Sequence, residues 1–194
     1  VAVVVDGARQ NFQIAEHGPE GQVYLDPELI SSAEVARGPV ANIYGSGAIG
    51  GVVSLSTKDV DDVLAPDERY GALFDGIVGS NGGPLLGSVF LAARPNDSAD
   101  FIVGAVERHL SDYKDGNGNV VANSGSDTTA VLGKANFHIS PGQDLKLGEV
   151  YEHVTFDSGT PGDGTYANAV DNSTLTAKYN LAPAENPLID LEAS

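Results

Sequence analysis

The 194-residue sequence contains no cysteine, no methionine and no tryptophan. Because cysteine is absent, disulfide scaffolds, thiol nucleophiles and metal sites with cysteine ligands are excluded. Basic residues are also few: 10 lysines and arginines stand against 27 aspartates and glutamates, for a net charge of −17. Nucleic-acid binding depends on clustered basic side chains, so this imbalance argues against nucleic acid as a partner.

Long hydrophobic runs are missing as well. A transmembrane helix needs about 18 consecutive apolar residues, and no segment of this sequence approaches that length. Membrane β-barrels also lack such segments. With 24 glycines, 7 tyrosines and few helical patterns, the sequence favours a mainly β protein. It opens on the apolar run VAVVV and ends on LEAS in what reads as another strand, so we expect part of a longer protein.

Signals of catalysis are absent too. The sequence has neither a G-x-S-x-G nucleophile elbow nor an H-E-x-x-H metal pair. Its many carboxylates are scattered, which is typical of a solvated surface. We therefore expect no enzymatic activity and no catalytic cofactor.

A glycine run at residues 43–51, IYGSGAIGG, is the most informative stretch. Gly45, Gly47 and Gly50 match the dinucleotide fingerprint G-x-G-x-x-G, which requires a helix to follow. Here residues 52–57, VVSLST, follow, and their β-branched, alternating pattern predicts a strand. An NAD-binding enzyme is therefore only a distant alternative.

The residues around this run resemble a known family. Residues 34–39, EVARGP, and 44–58, YGSGAIGGVVSLSTK, resemble the end of the plug domain of TonB-dependent outer-membrane receptors. The motif positions, structural in that family, are Arg9, Arg37, Gly38, Pro39, Tyr44, Gly45, Gly50 and Gly51. Residues 5–12, VDGARQNF, and 24–30, YLDPELI, with His17-Gly18 between them, resemble the branch that takes up haem or haemoglobin. The resemblance covers residues 1 to about 60.

The resemblance implies a receptor of the bacterial outer membrane that binds haem or a haemoprotein and is energised by the TonB complex. In this branch a plug histidine in a glycine-flanked loop is an axial ligand of the haem iron, which assigns that role to His17. An ordinary exposed loop histidine is the alternative. His109, at the predicted extracellular rim, is a possible ligand-side contact. Arg9 and Arg37 are expected to anchor the plug to acidic residues of the barrel wall.

The expected fold is mainly β in three parts. Residues 1–60 form the C-terminal part of a small α/β plug, in which Asp26 caps a short helix over residues 27–33 with Pro27 at its first position. Residues 61–68 form an acidic linker. Residues 69–194 form the first antiparallel strands of an incomplete transmembrane β-barrel, because segments of alternating polarity recur between turn signals. These segments are 69–79, 86–94, 99–109, 128–139, 143–154, 172–181 and 187 onward.

Connections between these segments predict the topology further. Short turns are expected at 95–98, 140–142 and 182–186, and long loops at 110–127 and 155–171, as in outer-membrane barrels. Within the first long loop, residues 112–119 superficially suggest a calcium site. Lys114 occupies a ligand position there and no glutamate falls at position twelve, so a turn-rich surface loop is the better interpretation.

Two other functions fit the same patterns. A receptor of this architecture for a siderophore or another iron chelate shares the plug motif. A soluble β-rich surface binding module shares the alternating strands and the acidity, since sandwiches repeat strands at similar spacing.

Overall fold

The computed structural model describes residues 1–10, 23–38, 48, 50–160, 164–182 and 191–193. Within these residues the chain forms two β-sheets. Helical structure there is limited to two one-turn 3-10 helices, and no helix of the described residues is long and apolar enough to cross a membrane. The expected mainly β class is confirmed.

The first sheet has four strands. They are β1 (Ala2–Val5), β2 (Ala8–Arg9), β3 (Ile30–Arg37) and β4 (Gly51–Thr57). Their order is β2-β1-β4-β3, with β1 and β4 parallel and the other neighbours antiparallel. An Asp-Gly turn joins β1 to β2: Asp6 and Gly7 both have positive φ, 49° and 89°, which a tight hairpin turn of two residues requires.

The predicted short helix exists but covers one turn only, Pro27–Leu29. Asp26 caps it as expected, because its side chain accepts a hydrogen bond from the Glu28 N–H at 2.8 Å. The predicted continuation to residue 33 is wrong, since β3 begins at Ile30. The Ser31 hydroxyl donates to the backbone carbonyl of Ser56 on β4 at 3.2 Å, so a cross-strand contact replaces a further helical turn.

The second sheet, which we call the wall, is a meander in sequence order. Its strands are β5 (Tyr70–Val78), β6 (Leu85–Asn96), β7 (Ala99–Leu110), β8 (Ser126–Ser140), β9 (Gln143–Thr160), β10 (Gly164–Leu181) and β11 (Leu191–Ala193). Each strand pairs antiparallel with the next. These seven strands correspond to the seven predicted segments.

The loop predictions are only partly right. The long connection predicted at 110–127 is confirmed, because no wall strand occupies residues 111–125 of the described chain. The long loop predicted at 155–171 is wrong: β9 extends to Thr160, β10 begins at Gly164, and Thr155 still pairs with Ala169. The polar composition that suggested a loop belongs to a hairpin that is mostly exposed, where strands do not need apolar residues.

The two faces of the wall differ. On the inner face, buried apolar side chains of β6 to β9 pack against Leu29, Val60 and Leu64, which lie on or beside the two one-turn helices. On the outer face, large apolar side chains are exposed, among them Phe74 at 70% and Leu175 at 73%. Strands with one face towards lipid show this pattern.

The predicted acidic linker is packed against the wall. Asp59 and Asp62 form a reciprocal capping box around the second one-turn helix, Val60–Asp62. Val60 and Leu64 are buried at 1% and 4% exposure. The acidic side chains of this segment therefore flank apolar anchors.

Gly104 on β7 provides a test of the inner core. It lies opposite Phe90 of β6, and a Cβ at Gly104 would fall 2.3 Å from the fully buried Phe90 ring. We expect Gly104→Ala to destabilise the protein by about 1–3 kcal/mol, because the ring has to move. The measurement is the midpoint of guanidinium unfolding, followed by circular dichroism in detergent.

Gly133→Ala is the matched control for this substitution. Gly133 also lies inside a wall strand, but a Cβ there would meet no atom within 4 Å. It should leave the midpoint unchanged or raise it slightly, since alanine restricts the unfolded chain. Equal midpoints for the two variants would contradict the packing described for Phe90.

Candidate functional site at the junction of the two sheets

Basic side chains of the wall converge on the junction with the first sheet. Every lysine and arginine on the described wall strands lies in register on the inner face: Arg94, Arg108, Lys134, Lys146 and Lys178. An outward lysine or arginine in a lipid-facing strand would cost about 2–4 kcal/mol at the bilayer midplane. The first sheet and the segments beside it, which we call the N-terminal unit, supply carboxylates to four of these five cations.

Asp26 makes the most buried of these contacts. Its carboxylate accepts two hydrogen bonds from the Arg108 guanidinium, at 2.7 and 2.9 Å. Its own N–H donates to a Glu152 carboxylate oxygen at 2.5 Å. The Asp26 side chain is only 1% exposed. The residue that caps the one-turn helix therefore also fixes this helix to β7 and β9.

Asp6 performs the same double function at the β1–β2 turn. Its carboxylate accepts hydrogen bonds from the Thr57 N–H at 2.9 Å and from the Thr57 hydroxyl at 2.6 Å. Lys134 Nζ of β8 lies 3.4 Å from the Asp6 oxygen that accepts from the Thr57 hydroxyl, and it donates to the Thr57 carbonyl at 2.9 Å. The turn is thus tied to β4 and to the wall at one point.

Asp59 and Asp61 complete the set on the segment after β4. Asp59 accepts from Asn136 at 2.9 Å and lies 3.6 Å from Lys146, and Asp61 lies 2.5 Å from Arg94. Burial by itself would raise the pKa of Asp59. Hydrogen bonds from the Val60 N–H and Asn136, with two nearby lysines, outweigh burial and hold this pKa below its ordinary value.

A crevice of about 580 Å³ opens beside the Asp26 contact. Apolar and aromatic side chains line most of it, and Tyr24 stacks on Phe156 with 6.0 Å between ring centroids. Its charged lining residues are Asp26, Arg108 and Glu152. Such a crevice suits a ligand that has a large apolar part and charged substituents. It lies next to residue 23, where the described chain resumes.

Several predicted site residues lie outside the described residues: His17, Pro39, Tyr44 and Gly45. Their roles stay predictions. Among the described motif residues, Gly51 has a φ of 133°, and a Cβ there would fall 2.4 Å from the Ala36 carbonyl oxygen. Gly38 also has positive φ, 97°, so both positions favour glycine for backbone reasons. Gly50 lies in a bend directly before β4, where a Cβ would stand 3.6 Å from Val1.

The predicted anchoring arginines lie on the first sheet, whereas the cations of the four contacts described above lie on the wall. Arg9 lies on β2, and Arg37 ends β3 with an exposed side chain that has no acidic partner among the described residues. Their anchoring role stays a prediction. In the four contacts described above the signs are reversed, because the N-terminal unit supplies the aspartates and the wall supplies the cations.

The described histidines are each paired with a carboxylate. His109 lies on the outer face of β7, 2.5 Å from Asp127, so the possible ligand contact predicted for it is not supported by this orientation and stays a prediction. His138 pairs with Asp144 at 2.7 Å and His153 with Asp171 at 2.9 Å. Within the described residues, no group of three or more histidine or acidic side chains is arranged to hold a metal ion.

Carboxylates of the long loop accept hydrogen bonds from backbone groups of the same loop. Asp112 accepts hydrogen bonds from the N–H groups of Ser124 and Gly125, and Asp115 accepts from those of Asn117 and Asn119. These bonds agree with the interpretation of residues 112–119 as a turn-rich surface loop.

Breaking the Asp26 contact should release the N-terminal unit from the wall. We expect Asp26→Asn to destabilise this docking by about 3–5 kcal/mol, because the largely buried Arg108 loses its counter-charge while the helix cap is kept. Hydrogen exchange of the Leu29 N–H, which donates to the Asp26 carbonyl, would report the loss. Asp97→Asn is the matched control at the exposed Arg69 pair and should cost at most about 1 kcal/mol. Equal effects would refute the anchoring role.

The pKa of Asp59 generates a prediction about acid stability. Since the folded state holds this pKa below 3.8, the ionised form stabilises the fold above that pH, and the stabilisation is lost as pH falls through the lowered value. Unfolding midpoints measured from about pH 6 down to pH 2 should fall less steeply for Asp59→Asn than for the unmodified protein. Asp67→Asn, at an exposed position of the same segment, is the control. Parallel curves for Asp59→Asn and the unmodified protein would exclude this contribution.

A family model and two sequence relatives give concordant similarities. Residues 1–52 match the family model described as TonB-dependent Receptor Plug Domain. A hemin receptor of Yersinia enterocolitica is 29% identical across 100% of this chain, and a heme/hemopexin utilization protein C of Haemophilus influenzae is 30% identical across 97%. The chain spans only 28% and 25% of the lengths of these two relatives.

Solved structures agree with the sequence relatives. The hemophore receptor HasR of Serratia marcescens, solved in complex with its hemophore HasA and heme, superposes with a TM-score of 0.82 at 28% identity, over 98% of this chain and 28% of HasR. The FrpB iron transporter of Neisseria meningitidis has a TM-score of 0.77 at 19% identity, over 92% of this chain and 30% of its own, a similarity of fold alone.

Proposed function

The chain belongs to the TonB-dependent receptors, and we propose that it forms the plug end and first barrel strands of an outer-membrane receptor that takes up haem. Within this proposal residues 1–60 are the C-terminal part of the plug, 61–68 the acidic connection and 69–194 the first strands of the barrel. The proposed ligand is haem or a haemoprotein, and the proposed energy source is the TonB complex.

The similarity to haem receptors across almost the whole chain carries this proposal. The two relatives described above bear hemin or heme in their names and match 97–100% of the chain, so plug and barrel strands point to the same ligand. The crevice beside Asp26 is lined mostly by apolar and aromatic side chains and by three charged ones, which suits an amphipathic ring system such as haem.

A barrel in the outer membrane fits the distribution of charge on the wall. Large apolar side chains are exposed on its outer face, and the lysines and arginines of its described strands face inward. A soluble β-rich module would have no need to keep its cations off one face, so this asymmetry favours lipid as the surrounding solvent.

The mechanism proposed is transport without covalent chemistry. The plug rests on the inner face of the wall, and its contacts there are side-chain ion pairs, hydrogen bonds and the apolar cluster in which Leu29 and Val60 pack against the wall. External loops would capture the ligand, His17 and a residue elsewhere in the receptor would coordinate the iron, and a plug movement driven by TonB would open the lumen. The relative named as a hemin receptor supports this view.

A siderophore receptor is the second candidate. The fold is shared with the ferric enterobactin receptor PfeA, at a TM-score of 0.65 and 18% identity over 92% of this chain. At this identity the similarity concerns the fold alone, so it supports the architecture without favouring that ligand.

Haem titration of the complete receptor that carries this chain, in detergent, tests the proposal through the Soret absorption. We expect the unmodified receptor to bind haem, and His17→Ala to bind it about tenfold or more weakly or with a shifted band, because an axial bond is lost. His153→Ala is the matched control, since His153 lies on the outer face beside Asp171.

The outcomes separate the two parts of the proposal. If the unmodified receptor binds no haem, the ligand is another chelate and the proposed function is wrong. If His17→Ala binds like the control, haem uptake stands and the ligand role of His17 is wrong.

A further inference from the structure

Three lysines of the wall lie close together beside the plug. Lys146 of β9 and Lys178 of β10 lie directly opposite each other in the strand register, and Lys134 lies on the inner face of the adjacent β8. They line one crevice of about 240 Å³, together with Asp6 and Asp59 of the plug. The chain has only 10 basic residues, so the grouping of three in one crevice requires an explanation.

Cross-strand lysines repel each other. Like charges directly opposite in a β-sheet are destabilising unless an anion neutralises them. The wall residues that line this crevice include no aspartate or glutamate among the described residues. Both carboxylates come from the plug: Asp6 lies 3.4 Å from Lys134, and Asp59 lies 3.6 Å from Lys146.

The three lysines differ in how extensively they contact the plug. Lys134 is tightly held, with a side chain 11% exposed and a hydrogen bond to the Thr57 carbonyl. The Lys146 side chain is 54% exposed. Lys178 is half-buried against Gly7, where a Cβ would stand 3.3 Å from the Lys178 Cε. Lys146 and Lys178 therefore keep ammonium donors available to a second anion.

We propose that Lys134, Lys146 and Lys178 form a binding station for the carboxylate groups of the transported ligand, which plug Asp6 and Asp59 occupy at rest. When the plug moves, its two carboxylates leave and three ammonium groups face the lumen. Charge-assisted hydrogen bonds to ligand carboxylates then replace the lost ion pairs. The inference rests on the proposed function, because haem carries two propionate carboxylates that match the two departing aspartates.

The competing explanation is that the lysines only anchor the plug. Pure anchors would affect how firmly the plug is docked, and their removal would leave transport unchanged or make plug release easier. A ligand station affects transport, and only for cargo with free carboxylates. The uptake rate and its dependence on those carboxylates therefore separate the two roles.

The test is the double variant Lys146→Gln/Lys178→Gln in the complete receptor, which leaves the Lys134 contacts in place. Haem affinity is measured in detergent, and uptake is measured in cells with haem and with an iron porphyrin whose propionates are esterified, each scaled to the amount bound. Lys114→Gln in the long loop is the control, and Lys146→Arg/Lys178→Arg tests rescue by charge.

We expect the double glutamine variant to bind haem as the unmodified receptor does but to take it up about fivefold or more slowly. The arginine variant should regain most of the rate. The esterified porphyrin should be taken up slowly and equally by the unmodified receptor and the glutamine variant.

An unchanged or raised haem uptake in the glutamine variant would contradict the proposed binding station. Equal uptake of free and esterified porphyrin by the unmodified receptor would contradict it as well. These results differ from a failure of the proposed function itself, in which the unmodified receptor would neither bind nor import haem.

Discussion

Charge complementarity between an acidic plug and a basic inner wall is the interaction on which the rest of the structure depends. A strand with one face in lipid has to direct its lysines and arginines to the other face. There they are removed from bulk water and need counter-charges. Asp6, Asp26 and Asp59 of the plug and Asp61 of the connection provide these charges, and the first three also hold a turn, a cap or a connecting segment. The same residues therefore shape the plug and seat it.

The contacts between the plug and the wall could be broken without disrupting either sheet. Between the described residues of the two sheets, each hydrogen bond or ion pair involves at least one side chain, and no bond between two backbone groups joins one sheet to the other. The wall has its own hydrogen-bonded ladders, which the proposed movement of the plug would leave in place, since each wall strand pairs with its neighbours in the meander. Ion pairs lost from the plug can be replaced by water or by an anionic ligand, whereas Leu29 and its neighbours would lose buried apolar surface. The plug release that we propose would thus need an energy input without unfolding of the barrel.

Local sequence signals predicted the local structure well. The Asp-Gly hairpin at residues 6–7, the Asp26 cap and the alternation at Thr174 and Leu175 follow from turn, capping and period-two rules that act over a few residues. The partners of Asp26 could not be found this way, because Arg108 is 82 residues and Glu152 is 126 residues away in the chain. The hairpin at 155–171 was missed because its exposed strands carry loop-like polar residues. One signal in the sequence could have indicated the basic inner face: all lysines and arginines of the alternating strands occupy inward positions.

Zero-length cross-linking measures the central claim most directly. A carbodiimide joins a carboxylate to an amine only where the two are in contact, and the native chain needs no substitution for it. Applied to the complete resting receptor and analysed by mass spectrometry, it should link plug peptides that carry Asp6 or Asp59 to barrel peptides that carry Lys134 or Lys146. Lys114, in the long loop, should form no link to the plug. If Lys134 and Lys146 remain free amines and no link joins plug to barrel, the charge-based seating of the plug is contradicted.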